Sequence, residues 1–558
     1  MSSESKTTET TTIRASAIVS APEAIPSDNC WSLDISLLPQ DIFWLILELL
    51  KPVDIACCFA VCRAWNEAFG NPFTLLPVLK KFFPFAREVR KLQEDGSFGD
   101  PYPLLATGND IRTIFSRVAC RYHHLNHGGK PRSVQEFALC EDFGAAGERE
   151  FFPVQPWESH TSQILTVDWH FPEAFWTYED GLLVFPSADY HCFLLMNLEE
   201  DDYGGTMVPF SITGKVIRRV RLRHRVLVIE WAEPIAFHWL NDTDGVHRHF
   251  ATAFDVRRRE TSSTDNNVND ERGSTWSVTL RNEWKIMSLG HPLSEIDRFY
   301  SSHTNTHYVV YTWQPNRSLY TADDDAPIEC LTVWDISNPS TYRPSLDPTG
   351  RVKEELYNTA NGDSAGPFMV SQFSFRELGF YLVRQRGRPR IQNLKITEDA
   401  QSIEITESVI TQFPLRPRFD PHAWVVDVHK VTFPASGIGP CWRRKSSSLF
   451  PPYRGNGSLR SSYPLTAASN GKDNGNEPWY TIISEAADLD AQVFFRLHFL
   501  PTLLPELHMA LSIRTPSSCL MAHLPEFFRL FAKGKIRGNE RFLVGEDYMG
   551  QLVVYRFD

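Results

Sequence analysis

Beyond residue 136 the chain repeats one local event: a short run of β-branched and aromatic residues, a turn, and a second such run. Residues 181–185 (GLLVF) are followed by 192–198 (CFLLMNL), 225–231 (RVLVIEW) by 250–256 (FATAFDV), and 307–313 (HYVVYTW) by 331–336 (LTVWDI). The alternation continues with 378–383 (LGFYLV) and 391–396 (IQNLKI), 479–484 (WYTIIS) and 493–499 (VFFRLHF), then 542–545 (FLVG) and 552–557 (LVVYRF). Short apolar runs of this composition, bounded by turn residues, are strand signals. They commit the region 136–558 to an all-β domain of antiparallel pairs. An aromatic content of 13% suits that assignment.

The second runs end alike, on triplets such as Met196-Asn197-Leu198, Phe254-Asp255-Val256 and Trp334-Asp335-Ile336. Their spacing is uneven and exceeds the roughly 40–45 residues of a propeller blade, so the longer gaps hold insertions or further strands. Two polar, Ser/Asn/Gly-rich insertions stand out, 257–274 and 444–477, and both are expected to be disordered. Residues 424–428 (WVVDV) supply another strand, innermost or outermost, inside the largest gap. The pattern predicts a six- to eight-bladed β-propeller, with a pair of β-sandwiches as the competing architecture. Val333-Trp334-Asp335-Ile336 resembles a WD-repeat ending, and the whole resembles a degenerate WD-type propeller.

The N-terminal quarter has a different character. From Gln40 to Leu50 only Gln40, Asp41 and Glu48 are polar, so this helix is apolar nearly all round and needs cover on two sides. Pro39 marks its first position, and Pro52 restarts a helical pattern with Asp54 in the first turn. Cys57, Val61, Ala64, Trp65 and Ala68 continue at helical spacing until Gly70. Three short helices in about forty residues bury little by themselves.

Leu38-Pro39-Gln40-Asp41-Ile42, Ile46, Leu50, Asp54-Ile55 and Val61-Cys62-Arg63-Ala64-Trp65 resemble an F-box, with Asp41 where Glu is commoner. The resemblance implies an adaptor-binding module of Skp–cullin–F-box ubiquitin ligases, of the fungal type. On that pattern Leu38, Pro39, Ile42, Ile46, Leu50, Val61 and Trp65 would contact the adaptor. It further implies a chain organised as a disordered tail (1–30), an F-box (31–72), a helical connector (73–135) and a substrate-binding β domain (136–558). The connector reads as a Pro-interrupted helix from Phe73 to Leu92 and a second helix from Ile111.

Composition narrows the partners. A net charge of −12 argues against DNA or RNA as the main partner. Ten cysteines form no CxxC pair, and the N-terminus lacks the build of a signal peptide, so a reduced, soluble protein of cytoplasm or nucleus, off the membrane, is expected. Cys57, Cys58 and Cys62 read as small packing groups.

No phosphate-cradling loop or HExxH occurs. His123, His124 and His127 crowd a helix end; consecutive residues point to different faces, so a solvated terminus is expected rather than a metal site. Arg386-Gly387-Arg388-Pro389-Arg390 looks like an AT-hook core, but its place between 381–383 and 391–394 reads as a hairpin turn offering a basic contact. Asp201-Asp202 and Asp323-Asp324-Asp325 read as solvated loops rather than an acid–base pair. The expected function is therefore non-catalytic, without cofactor or metal: a ligase specificity subunit holding the adaptor, and through it a cullin–RING ligase, at one end and an unidentified protein substrate at the other. A non-degradative F-box scaffold is the alternative, and a propeller hydrolase or carbohydrate-binding module the more distant one.

Overall fold

The computed structural model describes residues 38–94, 111–127, 131–140, 175–200, 205–242, 244–259, 275–316, 327–348, 366–385, 391–412, 424–436, 443–449, 482–500, 508–522, 535–547 and 549–558. The chain divides into two compact units, Met1–Thr74 and Leu75–Asp558.

The described part of the first unit is helical. Helix α1 (Gln40–Leu49) starts one residue later than the sequence suggests: Pro39 has φ −52° but ψ 140°, so it is the cap and Gln40 the first helical residue. Lys51 is held extended by the following proline, which separates α1 from α2 (Pro52–Cys58). Pro52 itself occupies the first turn, and Asp54 Oδ2 accepts the Lys51 N–H at 3.1 Å. Helix α3 (Arg63–Phe69) is capped by Cys62, whose Sγ accepts the Trp65 N–H at 3.5 Å. Cys62 is thus an exposed cap rather than a packing group, as is Cys57 an exposed residue; only Cys58 of the three is buried. The core of this unit is Phe43, Leu47, Ile55, Cys58 and Phe69, with the rings of Phe43 and Phe69 edge to face at 4.9 Å.

The boundary between the units falls within α4 (Pro72–Phe82). In the second unit, α5 (Arg87–Glu94) buries Val89 and Leu92, and α6 (Ile111–His127) buries Phe115, Val118, Tyr122 and Leu125 at helical spacing. The connector expected over 73–135 stops short of its predicted end. Ser133 already opens a strand, β1 (Ser133–Ala138), which belongs to the β region.

Among the described residues, six four-stranded antiparallel sheets follow. The first is β2 (Thr177–Glu179), β3 (Leu182–Ser187), β4 (Cys192–Asn197) and β5 (Thr206–Ser211). Its first hairpin turns on Asp180 and Gly181, both at positive φ, the geometry of a two-residue loop that matches strand twist. The second takes β6 (Val216–Arg223) and β7 (Val226–Ala232) with β10 (His249–Arg258) and β11 (Trp276–Ile286). Between them β8 (His238–Asn241) and β9 (Asp244–His247) join β12 (Leu293–Ser294) in a small three-stranded sheet.

Next come β13 (Arg298–His303), β14 (His307–Gln314), β15 (Ile328–Asp335) and β16 (Phe368–Phe373). A further sheet holds β17 (Ile391–Ile396), β18 (Ser402–Gln412), β19 (Trp424–Pro434) and β20 (Arg443–Leu449). Strand β19 is therefore third of four, not innermost or outermost. The polar insertion expected from 444 begins inside β20; residues 450–477 lie outside the described part, as do 260–274 of the other. The fifth sheet is β21 (Ile482–Asp488), β22 (Val493–Leu500), β23 (His508–Arg514) and β24 (Cys519–Ala522). The last contains β25 (Ile536–Gly538), β26 (Phe542–Glu546) and β27 (Gln551–Arg556), and its fourth strand is β1. That pairing runs in register from Ser133 opposite Arg556 to Ala138 opposite Gln551.

The run 378–383 is not a strand. Residues Phe375–Phe380 form helix α7, because Ser374 and Glu377 make a capping box in which Ser374 N–H donates to Glu377 Oε2 at 2.7 Å. Strand β17 pairs with β18 instead.

Neighbouring sheets share apolar layers. Leu182, Phe193 and Leu195 pack with Leu227, Phe250 and Phe254 between the first two sheets. Val228 and Ala253 meet Phe299 and Tyr308 further on, and Tyr311 and Leu331 meet Ile403 and Phe433 beyond them. Trp176, Leu183 and Leu194 close onto Phe542, Leu552 and Val554 of the last sheet.

Candidate functional site

In the first unit, α1 turns Phe43 and Leu47 inward and leaves an apolar stripe outside. Ile42 is 47% exposed, Leu45 63% and Leu49 86%, positions that lie on one face at helical spacing, with half-buried Ile46 beside them. Val53 on α2 and Val61 before α3 add further exposed apolar surface, Val61 at 59%. Of the seven residues singled out in the sequence, Pro39, Ile42 and Val61 are exposed, and Leu38, Ile46, Leu50 and Trp65 are half-buried. Trp65 rests its ring on Phe69 at 5.5 Å. Leu45, Leu49 and Val53 were missed by motif matching. Leu45 and Leu49 follow Ile42 at i+3 and i+7, but on a helix apolar nearly all round that face is identified only once Phe43 and Leu47 are seen to pack inward.

In the second unit, the first strands β2, β6, β13, β17, β21 and β25 all contribute residues to one cavity of about 990 Å³. Helix α5 lies at one end of it. Arg87 pairs with Asp180 at 3.1 Å and Glu199 at 2.6 Å, its N–H donates to Glu540 at 2.9 Å, and Arg90 pairs with Asp490 at 3.1 Å. Behind α5, Arg121 of α6 is fully buried among Glu88, Glu540 and Asp558, at 2.6, 3.0 and 3.6 Å. Tyr122 donates to Glu540 at 2.9 Å, and Arg541 binds Asp558 at 2.8 Å. Burial pushes the Glu88 carboxyl up, but hydrogen bonds and charge from Arg121 outweigh it and hold the group down at about 2. Burial likewise opposes ionisation of Asp558, and Arg541 and Arg121 overcome it, lowering its pKa. Glu540 goes the other way: burial raises it more than Arg121 lowers it.

The histidines His123, His124 and His127 sit in the last turns of α6, where His127 and His123 stack at 4.6 Å and His127 Nδ1 contacts the His123 carbonyl at 3.0 Å. Among the described residues no three His, Cys, Asp or Glu side chains gather in a way that holds a metal ion, and no helix is long and apolar enough to cross a membrane. Residues 386–390, Asp201-Asp202 and Asp323-Asp324-Asp325 lie outside the described part.

No curated protein matches the chain. Among solved structures, an α-L-arabinofuranosidase from Lactobacillus brevis aligns at 9% identity over 63% of this chain and 94% of its own, with a TM-score of 0.23. A glucose dehydrogenase aligns at 12% identity over 68% and 96%, with a TM-score of 0.22. Neither likeness is close enough to bear on the fold or activity of this protein. The family comparison is informative: residues 35–75 match the F-box-like model, and they coincide with the three helices whose apolar stripe faces outward. The chain carries an F-box-like domain at its N-terminal end.

Proposed function

We propose that this protein is the substrate-recognition subunit of a Skp–cullin–F-box ubiquitin ligase. The observation that carries the reading is the exposed stripe Ile42, Leu45 and Leu49 on a domain matching the F-box-like family. Burying each such side chain is worth roughly 1.5–3 kcal/mol, so a Skp-type adaptor seated there gains most of its affinity from a few residues. Leu38, Pro39, Ile42, Ile46, Leu50, Val61 and Trp65 belong to the proposed contact, with Leu45, Leu49 and Val53 added by their exposure.

The β region serves in this reading as the platform for the target protein. Six four-stranded sheets, first strands around one cavity, and a last sheet completed by β1 support a six-bladed propeller, closed by the β1–β27 pair. Such a chain performs no bond chemistry and contributes proximity and orientation to subunits that do.

The test separates a ligase subunit from a non-degradative scaffold. Proteins captured by the wild-type chain in cells should accumulate when the proteasome is inhibited. They should also be longer-lived with a Leu45→Asp, Leu49→Asp variant that still captures them. Partners whose lifetime is the same with both chains would contradict the degradative role.

A further inference from the structure

Away from α5 two strands carry rows of cations along the cavity wall. Strand β6 aims Arg219, Arg221 and Arg223 into it, alternate residues that share one face of a strand. Lys535 and Arg537 enter from the β25 side in the same alternation. Strand β2, which packs against both β6 and β25, lies between these two rows. Three carboxylates of β2 and β21 also line the cavity, Glu179, Glu485 and Asp488, and each is occupied. Glu179 accepts the N–H groups of His224 and Arg225 at 2.7 and 3.3 Å, and Glu485 accepts from Arg496 at 2.5 Å. Asp488 accepts the N–H groups of Ala491 and Glu540 at 2.9 and 3.3 Å.

We infer that this half of the cavity is a binding site for a compact polyanion, a small molecule bearing two or more phosphate groups.

Arg219, Arg221, Arg223 and Lys535 are held in place before any ligand arrives. Arg221 donates to the Ser301 carbonyl, Arg219 to Ser301 Oγ at 3.1 Å and Arg223 to Ser302 Oγ at 3.5 Å. Lys535 is fixed by the Trp176 carbonyl at 3.2 Å and lies 5.2 Å from the centre of its ring. Guanidinium groups present paired donors that match phosphate oxygens, and side chains already ordered lose little entropy on binding. Beside the row, burial first and then Arg221 and Arg223 take His303 down to about 3. Nine Lys and Arg side chains against seven Asp and Glu line the concavity, a positive balance in a chain of net charge −12.

The size of the cavity, and its filling by α5, favour a compact ligand over a threaded chain. Helix α5 and its ion pairs to Asp180, Glu199 and Asp490 occupy the other end. The volume of about 990 Å³ sits at the top of the range of small-molecule sites, roughly 300–1,000 Å³.

The full-length chain titrated with sodium tripolyphosphate in a calorimeter should show saturable one-to-one binding that weakens as salt is added, with a matching rise in melting temperature. Arg223→Gln and Arg537→Gln, at half-buried and exposed positions, should each melt as wild type without ligand and bind about tenfold more weakly. On the wild-type chain, tripolyphosphate should protect Arg221, Arg223 and Arg537 from phenylglyoxal, a readout that needs no variant. A doubly phosphorylated decapeptide, as the second arm, should bind more weakly than tripolyphosphate. Absence of tripolyphosphate binding, binding indifferent to both substitutions, arginines left unprotected, or a preference for the peptide would each overturn the assignment.

Discussion

Arg121 is the residue on which most charge converges. It has no exposed side-chain surface, and it faces three carboxylates, on α5, before β26 and at Asp558. A charge in that position is tolerable only with its partners, and removing it leaves Glu88 and Glu540 crowded together without their shared cation, while Asp558 keeps Arg541 and Arg556. Arg121→Met should cost about 3–5 kcal/mol, read as a lower denaturant midpoint. The pH dependence has a defined sign. Glu88 and Asp558 are depressed in the folded protein, so their contribution is fully present above the unfolded carboxylate range near pH 4–4.5. It is lost as pH falls from there toward 2. Glu540 is raised, so its ionised form opposes folding and its protonation on acidification offsets part of that loss. Melting wild type and Arg121→Met between pH 7 and pH 3 should show the gap between them narrowing with acid; a constant gap would mean the network contributes packing alone.

At the scale of elements, the strand that matters most is the one farthest from its partners in sequence. Strand β1 completes the last sheet, and without it β27 presents an open edge carrying Leu552 and Val554. Open edges recruit other chains, which natural sheets avoid. Deleting residues 131–138 should lower the melting temperature of the β region by roughly 5 °C or more and produce concentration-dependent aggregation. Unchanged melting and a monomeric deletion product would show that β1 adds nothing to the fold. The helix α7 teaches the opposite lesson about local signals. Its segment is apolar enough for a strand, but it is wound as a helix that opens on a Ser374–Glu377 capping box.

For the whole molecule, what was legible in the sequence follows burial. Strands such as β3 and β7 are covered on both faces, so Leu182–Ser187 and Val226–Ala232 read as apolar runs broken only by Ser187 and Glu230. First and last strands of the sheets are harder to see. Strand β6 carries Arg219, Arg221 and Arg223 because one face lines a polar cavity, and β20 is Arg443–Leu449, RRKSSSL, with hardly an apolar residue. Strand β1 was hidden because its partner lies some four hundred positions away, a distance no local pattern spans. The helical domain was legible from its ordered motif. Which of its apolar residues face outward required the packing of Phe43 and Leu47 to be known.

The central claim is that the stripe on α1 holds a Skp-type adaptor, and a direct binding titration with purified adaptor tests it. Ile42→Ala with Leu45→Ala removes exposed side chains and leaves Phe43, Leu47 and Phe69 in place, so the helices should keep their circular dichroism and melting. At roughly 1.5 kcal/mol or more per side chain the double variant should bind at least about a hundredfold more weakly than wild type. Equal affinity for both chains, or no binding by wild type, would contradict the account.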